Sequence, residues 1–312
     1  MCTCGQHDHM TALIHVVNDG PPDAPPLLLI HGSGASGGFW APMIPALAAH
    51  HRVIRVDLPG HGRSAIASAA GPPADNPSAI ASSPDLPGHG LVPSAGLPEH
   101  ERSAVASSYA VPHQADRLAE TLDASGTHRV AVATHSSGGY IATALATRRP
   151  GLISSLTLIS CGPTMDAALP EPPILRLLLA PPAGPILWKL RTSTLIRRGI
   201  AATCARPIDL PGHVIADLRR VRYRTLRQVL DSNTAYLTER GIPDRLAPLG
   251  IPVQAVFGDA DPRWNPASVQ QYRAVPGARI DTLPGVGHIP MLEAPGETAD
   301  LLLAFTTAQR LA

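Results

Sequence analysis

The feature that most constrains this chain is an alternation. Short runs rich in β-branched residues and leucine lie at 12–17, 27–30, 53–57, 130–134, 156–160, 253–257 and 280–283. Between them run helical patterns at 43–49, 113–124, 140–147 and 267–274. Strands that alternate with helices return to the sheet by crossovers. The pattern therefore predicts an α/β fold, a mostly parallel sheet with helices on both faces. A chain of 312 residues is long enough to bury such a core without staples.

Two stretches break the rhythm. Residues 163–245 carry helical segments punctuated by proline and read as a helical cap inserted between two strands. Residues 65–108 are rich in Ala, Ser, Pro and Gly, and they repeat themselves. LPGHGRSAIAS at 58–68 recurs as LPEHERSAVAS at 97–107, and DLPGHG at 57–62 recurs at 85–90. The spacing is irregular and no copy can bury an apolar face, which points to a duplication that left a long mobile loop. The expected organisation is a disordered tail over 1–10, a core over 11–162 and 246–312 that includes the 65–108 loop, and a cap over 163–245.

Composition narrows the function classes. Hydrophobic residues make up 44%, charged residues 16%, and the formal net charge is +1. This excludes disorder over most of the chain and argues against a nucleic-acid partner. All basic residues except Lys189 are arginine, a bias that matches the abundant Ala and Pro rather than any arginine chemistry. The most apolar stretch, 174–190, is interrupted by Arg176, Pro181, Pro182 and Pro185 and is too broken to span a membrane. The N-terminus MCTCGQHDHM has no apolar core, so no signal peptide is visible. Four scattered cysteines predict free thiols and a cytoplasmic protein. Cys2, Cys4, His7 and His9 have metal-ligating groups, but they sit in the expected tail, and neither a metal nor a cofactor is expected.

Three segments carry the chemistry. Gly32, Gly34 and Gly37 form G-x-G-x-x-G directly after the 27–30 run, with Asp57 ending the next one. That is the spacing of a dinucleotide site, and it makes a nicotinamide-dependent oxidoreductase the alternative of a different class. Pro42 and Pro45 argue against it, because they delay the helix that the third glycine should open. The stronger signal is Thr134-His135-Ser136-Ser137-Gly138-Gly139, between a strand and an Ala-rich helix. A sharp strand-to-helix turn needs small residues two before and two after the raised residue, which favours Ser136 over Ser137 as nucleophile. A serine hydroxyl needs a base and a group to orient that base. Downstream, the 253–257 run ends in Gly258-Asp259-Ala260-Asp261 and the 280–283 run ends near His288. An acid and a histidine thus follow successive strands at the edge where Ser136 would emerge.

Taken together, HGSG at 31–34, DLPGHGRS at 57–64, THSSGG at 134–139, GDADP at 258–262 and GVGHIPMLEAP at 285–295 resemble the α/β-hydrolase family over 11–64 and 109–312. The resemblance implies Ser136 as nucleophile, His288 as general base and acid, and Asp261 as its orienter, with Asp259 as runner-up. It implies an oxyanion hole from the backbone N–H groups of Ser33 and Ser137, and Trp40 and Met291 as candidate pocket lining. A serine where dehalogenases and epoxide hydrolases of this fold carry an aspartate implies acyl transfer on a small-molecule substrate. A carboxylic ester or lactone is favoured, with C–C hydrolase and peroxidase-like chemistry as alternatives. For the cap, the sequence offers Arg219, Arg220, Arg222, Arg224 and Arg227, with 220, 224 and 227 on one helical face. It also offers apolar lining from 174–179 and 186–190.

Overall fold

The computed structural model describes residues 14–64, 108–171 and 180–311. The expected tail and its Cys and His residues, the loop 65–108 apart from Ser108, and the apolar run 174–179 lie outside the described residues. In chain order the elements are β1 (His15–Asp19), β2 (Pro26–Ile30), α1 (Ile44–Leu47), β3 (Arg52–Asp57), α2 (Val111–Ala124), β4 (Val130–His135), α3 (Gly138–Arg148) and β5 (Ile153–Ile159). An insertion follows with α4 (Ala183–Leu190), α5 (Ser193–Ala201), α6 (Gly212–Arg220), α7 (Tyr223–Glu239) and α8 (Ile242–Leu246). The chain then closes with β6 (Val253–Gly258), β7 (Arg279–Leu283), α9 (Pro290–Glu293) and α10 (Pro295–Leu311).

The seven strands form one sheet in the order β1-β3-β2-β4-β5-β6-β7. Only the edge strand β1 runs antiparallel, against β3, and every other pairing is parallel. Successive side chains on a strand point to opposite faces. On β2, Leu28 and Ile30 enter one apolar cluster while Leu27 and Leu29 enter the other. Both faces are thus covered, which is why the strands read as continuous apolar runs rather than alternating ones.

The differences from expectation are local. The first strand begins at His15, not at residue 12. The helix expected over 43–49 is mostly a 3-10 helix at Gly37–Met43 followed by the four-residue α1. Pro42 and Pro45 remove backbone donors there and keep a regular α-helix from forming. The helix at 267–274 is also a 3-10 helix, Pro266–Ala274, capped by Asn265. The arginine face proposed for 220, 224 and 227 does not exist, because α6 ends at Arg220 and α7 begins at Tyr223. Arg220 pairs with Asp217 and Arg227 with Asp231. Ile186 and Leu190, expected as apolar lining, are 63% and 68% exposed to solvent instead. Among the described residues no helix is long and apolar enough to cross a membrane.

Candidate active site

The turn from β4 into α3 holds Ser136 at φ 50°, in the left-handed region. A non-glycine residue there costs about 1–3 kcal/mol and persists only when its surroundings impose it. Those surroundings are visible. A Cβ at Gly138 would stand 2.7 Å from the His31 carbonyl oxygen, and one at Gly139 would stand 2.4 Å from Cys161 Sγ. Only glycine lets α3 start this close to β2 and β5. Thr134 stands two residues before Ser136 and is tolerated because its hydroxyl turns into the sheet, donating to the Thr157 carbonyl on β5.

Three side chains from three strand ends meet at this turn. His288 Nε2 lies 3.2 Å from Ser136 Oγ. His288 Nδ1 lies 2.9 Å from Asp261 Oδ2. The other carboxylate oxygen of Asp261 accepts from the backbone N–H groups of Arg263 and Trp264. Asp259 is placed elsewhere, exposed, and accepts from Gly285 N–H. The acid beside His288 is therefore Asp261, with both oxygens engaged.

Several residues that the sequence reading left without a role hold this arrangement. Glu293 is buried and accepts four backbone N–H groups, from Gly287 and Ile289 on either side of His288 and from Ala205 and Arg206 in the insertion. His288 N–H also donates to the Thr203 carbonyl. His135 donates from Nε2 to the His288 carbonyl. A lone acid amid the apolar GHIPMLEAP run was the signal for Glu293. The glycine loop is pinned by two more histidines. His31 donates from Nδ1 to the Gly32 carbonyl and accepts Leu58 N–H at Nε2. His61 donates from Nδ1 to the Pro59 carbonyl and accepts Gly34 N–H at Nε2. An imidazole that donates at one nitrogen and accepts at the other must be neutral. Burial enforces this, lowering His31 and His135 from the ordinary histidine value and His61 to about 3.

The glycine loop does not fit a dinucleotide. The Asp57 carboxylate is buried and accepts N–H groups from Gly37 and Arg63, so it has no free edge for a ribose. Trp40 and Met291, expected as lining, are both fully buried in the core cluster beneath the loop. Their bulk fills space between the 3-10 helix and α9. Ser33 and Ser137 do lie together, but not as two free backbone donors. Ser33 N–H donates to Ser137 Oγ at 2.9 Å, and the two hydroxyl oxygens stand 2.7 Å apart. Asn233, on α7, donates from Nδ2 to Ser33 Oγ at 2.8 Å. No sequence pattern marked Asn233.

A hydroxyl on a strained turn, a histidine within reach and a carboxylate behind that histidine are the parts that nucleophilic acyl transfer requires. The sequence profile described as "Alpha/beta hydrolase family" matches residues 27–301. A pimeloyl-[acyl-carrier protein] methyl ester esterase from Aeromonas hydrophila is 26% identical over 290 residues, covering 90% of this chain and 95% of that protein. An uncharacterized protein of Mycobacterium tuberculosis is 27% identical over 306 residues, covering 90% of this chain and 75% of that one. Among solved structures, an N-acyl homoserine lactonase superposes with a TM-score of 0.70 at 21% identity, covering 95% of this chain and 93% of that chain.

Proposed function

The chain belongs to the alpha/beta hydrolase family, and from that premise we propose that it is a serine hydrolase cleaving a carboxylic ester through an acyl-enzyme. The observation that carries this reading is the continuous path from Asp261 through His288 to Ser136 at 2.9 and 3.2 Å. Ser136 Oγ attacks the ester carbonyl carbon while its proton passes to His288 Nε2. The carbonyl electron pair moves to oxygen. As the pair returns, the alkoxide leaves with the proton from His288. Water then repeats the sequence on the acyl-enzyme, with His288 again taking and returning one proton. Asp261 keeps Nδ1 protonated and steadies the imidazolium.

A relative named as a methyl ester esterase, aligned over nearly its whole length, supports an ester as the scissile group. In this reading residues 163–245 cap the site and select the acyl or alcohol group, with no cofactor needed. The test is covalent labelling with a fluorophosphonate, followed by turnover of p-nitrophenyl esters of rising chain length. Wild type should label and hydrolyse, and Ser136→Ala should do neither. Labelling that survives Ser136→Ala and vanishes in Ser137→Ala would move the nucleophile one residue on.

A further inference from the structure

We propose that the paired hydroxyls of Ser33 and Ser137 give the site a side-chain O–H donor for the oxyanion, oriented from the insertion by Asn233. The proposal rests on the acyl-enzyme reading above. Its basis is the directionality of three hydrogen bonds. An amide N–H and a backbone N–H can only donate. Asn233 Nδ2 therefore gives a proton to Ser33 Oγ, and Ser33 N–H gives one to Ser137 Oγ. The two hydroxyls, 2.7 Å apart, share one more bond.

Each hydroxyl has one proton to give and two lone pairs to accept with. If Ser33 donates to Ser137, then Ser137 Oγ has accepted twice and its own proton is left over. If Ser137 donates to Ser33, then Ser33 Oγ has accepted twice and its proton is left over. In either arrangement one hydroxyl proton has no acceptor in the network. Among the described residues nothing absorbs it. Even Asn233 Oδ1, buried beside the pair, receives no donor. The surplus O–H thus sits either on Ser137, next to Ser136 in the chain, or on Ser33, whose N–H marks where the developing oxyanion is expected.

When Ser136 Oγ bonds to the carbonyl carbon, the C=O pair moves to oxygen and the serine proton moves to His288. The surplus O–H then donates a hydrogen bond to that oxygen and keeps its proton. Ser33 N–H acts through Ser137, holding its oxygen in place. Asn233 is a positioning residue, because its N–H fixes the direction of the chain.

The test uses the full chain and a p-nitrophenyl ester that the wild type hydrolyses. The double variant Ser33→Ala/Ser137→Ala should lower kcat about a hundredfold with little change in KM, the cost typical of one lost oxyanion donor, because either hydroxyl alone would still have a proton to give. An alkyl boronic acid, which forms a tetrahedral adduct on serine, should bind more weakly by a similar factor. Asn233→Asp has the same shape but no N–H to give. The new carboxylate accepts from Ser33, Ser33 accepts from Ser137, and no proton is surplus. Its kcat should fall similarly at neutral pH with an unchanged melting temperature. The deficit relative to wild type should shrink in acid, where the protonated carboxyl can donate again. A Ser33→Ala/Ser137→Ala enzyme as fast as wild type, or faster, would make the hydroxyls a plug in the hole and overturn the proposal. So would an Asn233→Asp enzyme with wild-type kcat. The two changes lie on different elements, so failure of one variant to fold leaves the other decisive. A wild type that neither labels with fluorophosphonate nor hydrolyses any ester overturns the acyl-enzyme reading itself.

Discussion

The strand ends that carry Ser136, Asp261 and His288 and the helical insertion between β5 and β6 are built differently. Helix α3, which follows Ser136, buries nine of its eleven residues. Helix α5 in the insertion buries none. Strand β6, which leads to Asp261, is buried throughout. The first region is fixed by close packing on both sheet faces, where interiors tolerate little displacement. The second packs through part of its length, with Val214, Ile215 and Leu218 in one core cluster and Tyr236 and Leu237 in the other, and adds polar contacts at chosen points. Thr203, Ala205 and Arg206 meet the His288 loop, and Asn233 meets Ser33. A reaction centre needs positional accuracy, which packing supplies. The insertion proposed to select substrate keeps surface free to vary, since helix α5 has no buried residue.

The largest effects should come from the packed region. His288→Ala should lower kcat about a millionfold, as Ser136→Ala should, because the residues act as a unit. Asp261→Asn should cost about ten-thousandfold and Asp259→Asn less than about tenfold, read from single-turnover rates of acylation. A crippling Asp259→Asn beside a mild Asp261→Asn would reverse the assignment of the acid.

Next is the staple between the regions. Glu293→Gln leaves one oxygen to accept where two served, and turns an NH2 group toward backbone donors. A loss of about 3 kcal/mol is expected, from the value of hydrogen bonds to a buried charge. It should appear as a lower melting temperature together with reduced kcat. If stability falls and the activity per folded molecule is unchanged, Glu293 holds the insertion without steadying His288.

Acid should loosen the packed region in particular. His31, His51, His61 and His135 are held neutral by burial, with His61 lowered from 6.5 to about 3. The unfolded chain takes up protons at these positions near pH 6.5, while the folded chain resists. Their full stability is therefore present above about pH 6.5 and is lost as pH falls toward 3. The melting temperature should drop across that window. A flat profile would mean that these rings gain compensating partners on protonation. Leu190→Ser should have the smallest effect. Leu190 is mostly in water, so stability should shift by no more than about 0.5 kcal/mol in urea unfolding. A larger loss would show that it is covered in solution.

Much of the fold was legible because it is written in contiguous residues. All seven strands lie within a few positions of their expected places, and the parallel sheet follows from the alternation. The Ser136 turn was legible for the same reason. Small residues at 138 and 139 are a local demand of a helix starting against two strands. The arginine face was misread because helical periodicity was extended across Val221–Arg222, where α6 gives way to α7. The full burial of Trp40 and Met291 was not legible, because an aromatic or a methionine near a motif looks the same whether it faces a substrate or fills the core.

By itself the sequence determined the backbone path that brings three strand ends to one edge, since strand, turn and helix propensities act over a few neighbouring residues. Only the tertiary structure decided between Asp261 and Asp259 as the carboxylate beside His288, made Glu293 an acceptor for two separate segments, and joined Asn233 to Ser33 across 200 residues. Those choices depend on which side chains the packed core leaves within about 3 Å of one another, a distance that chain order does not encode.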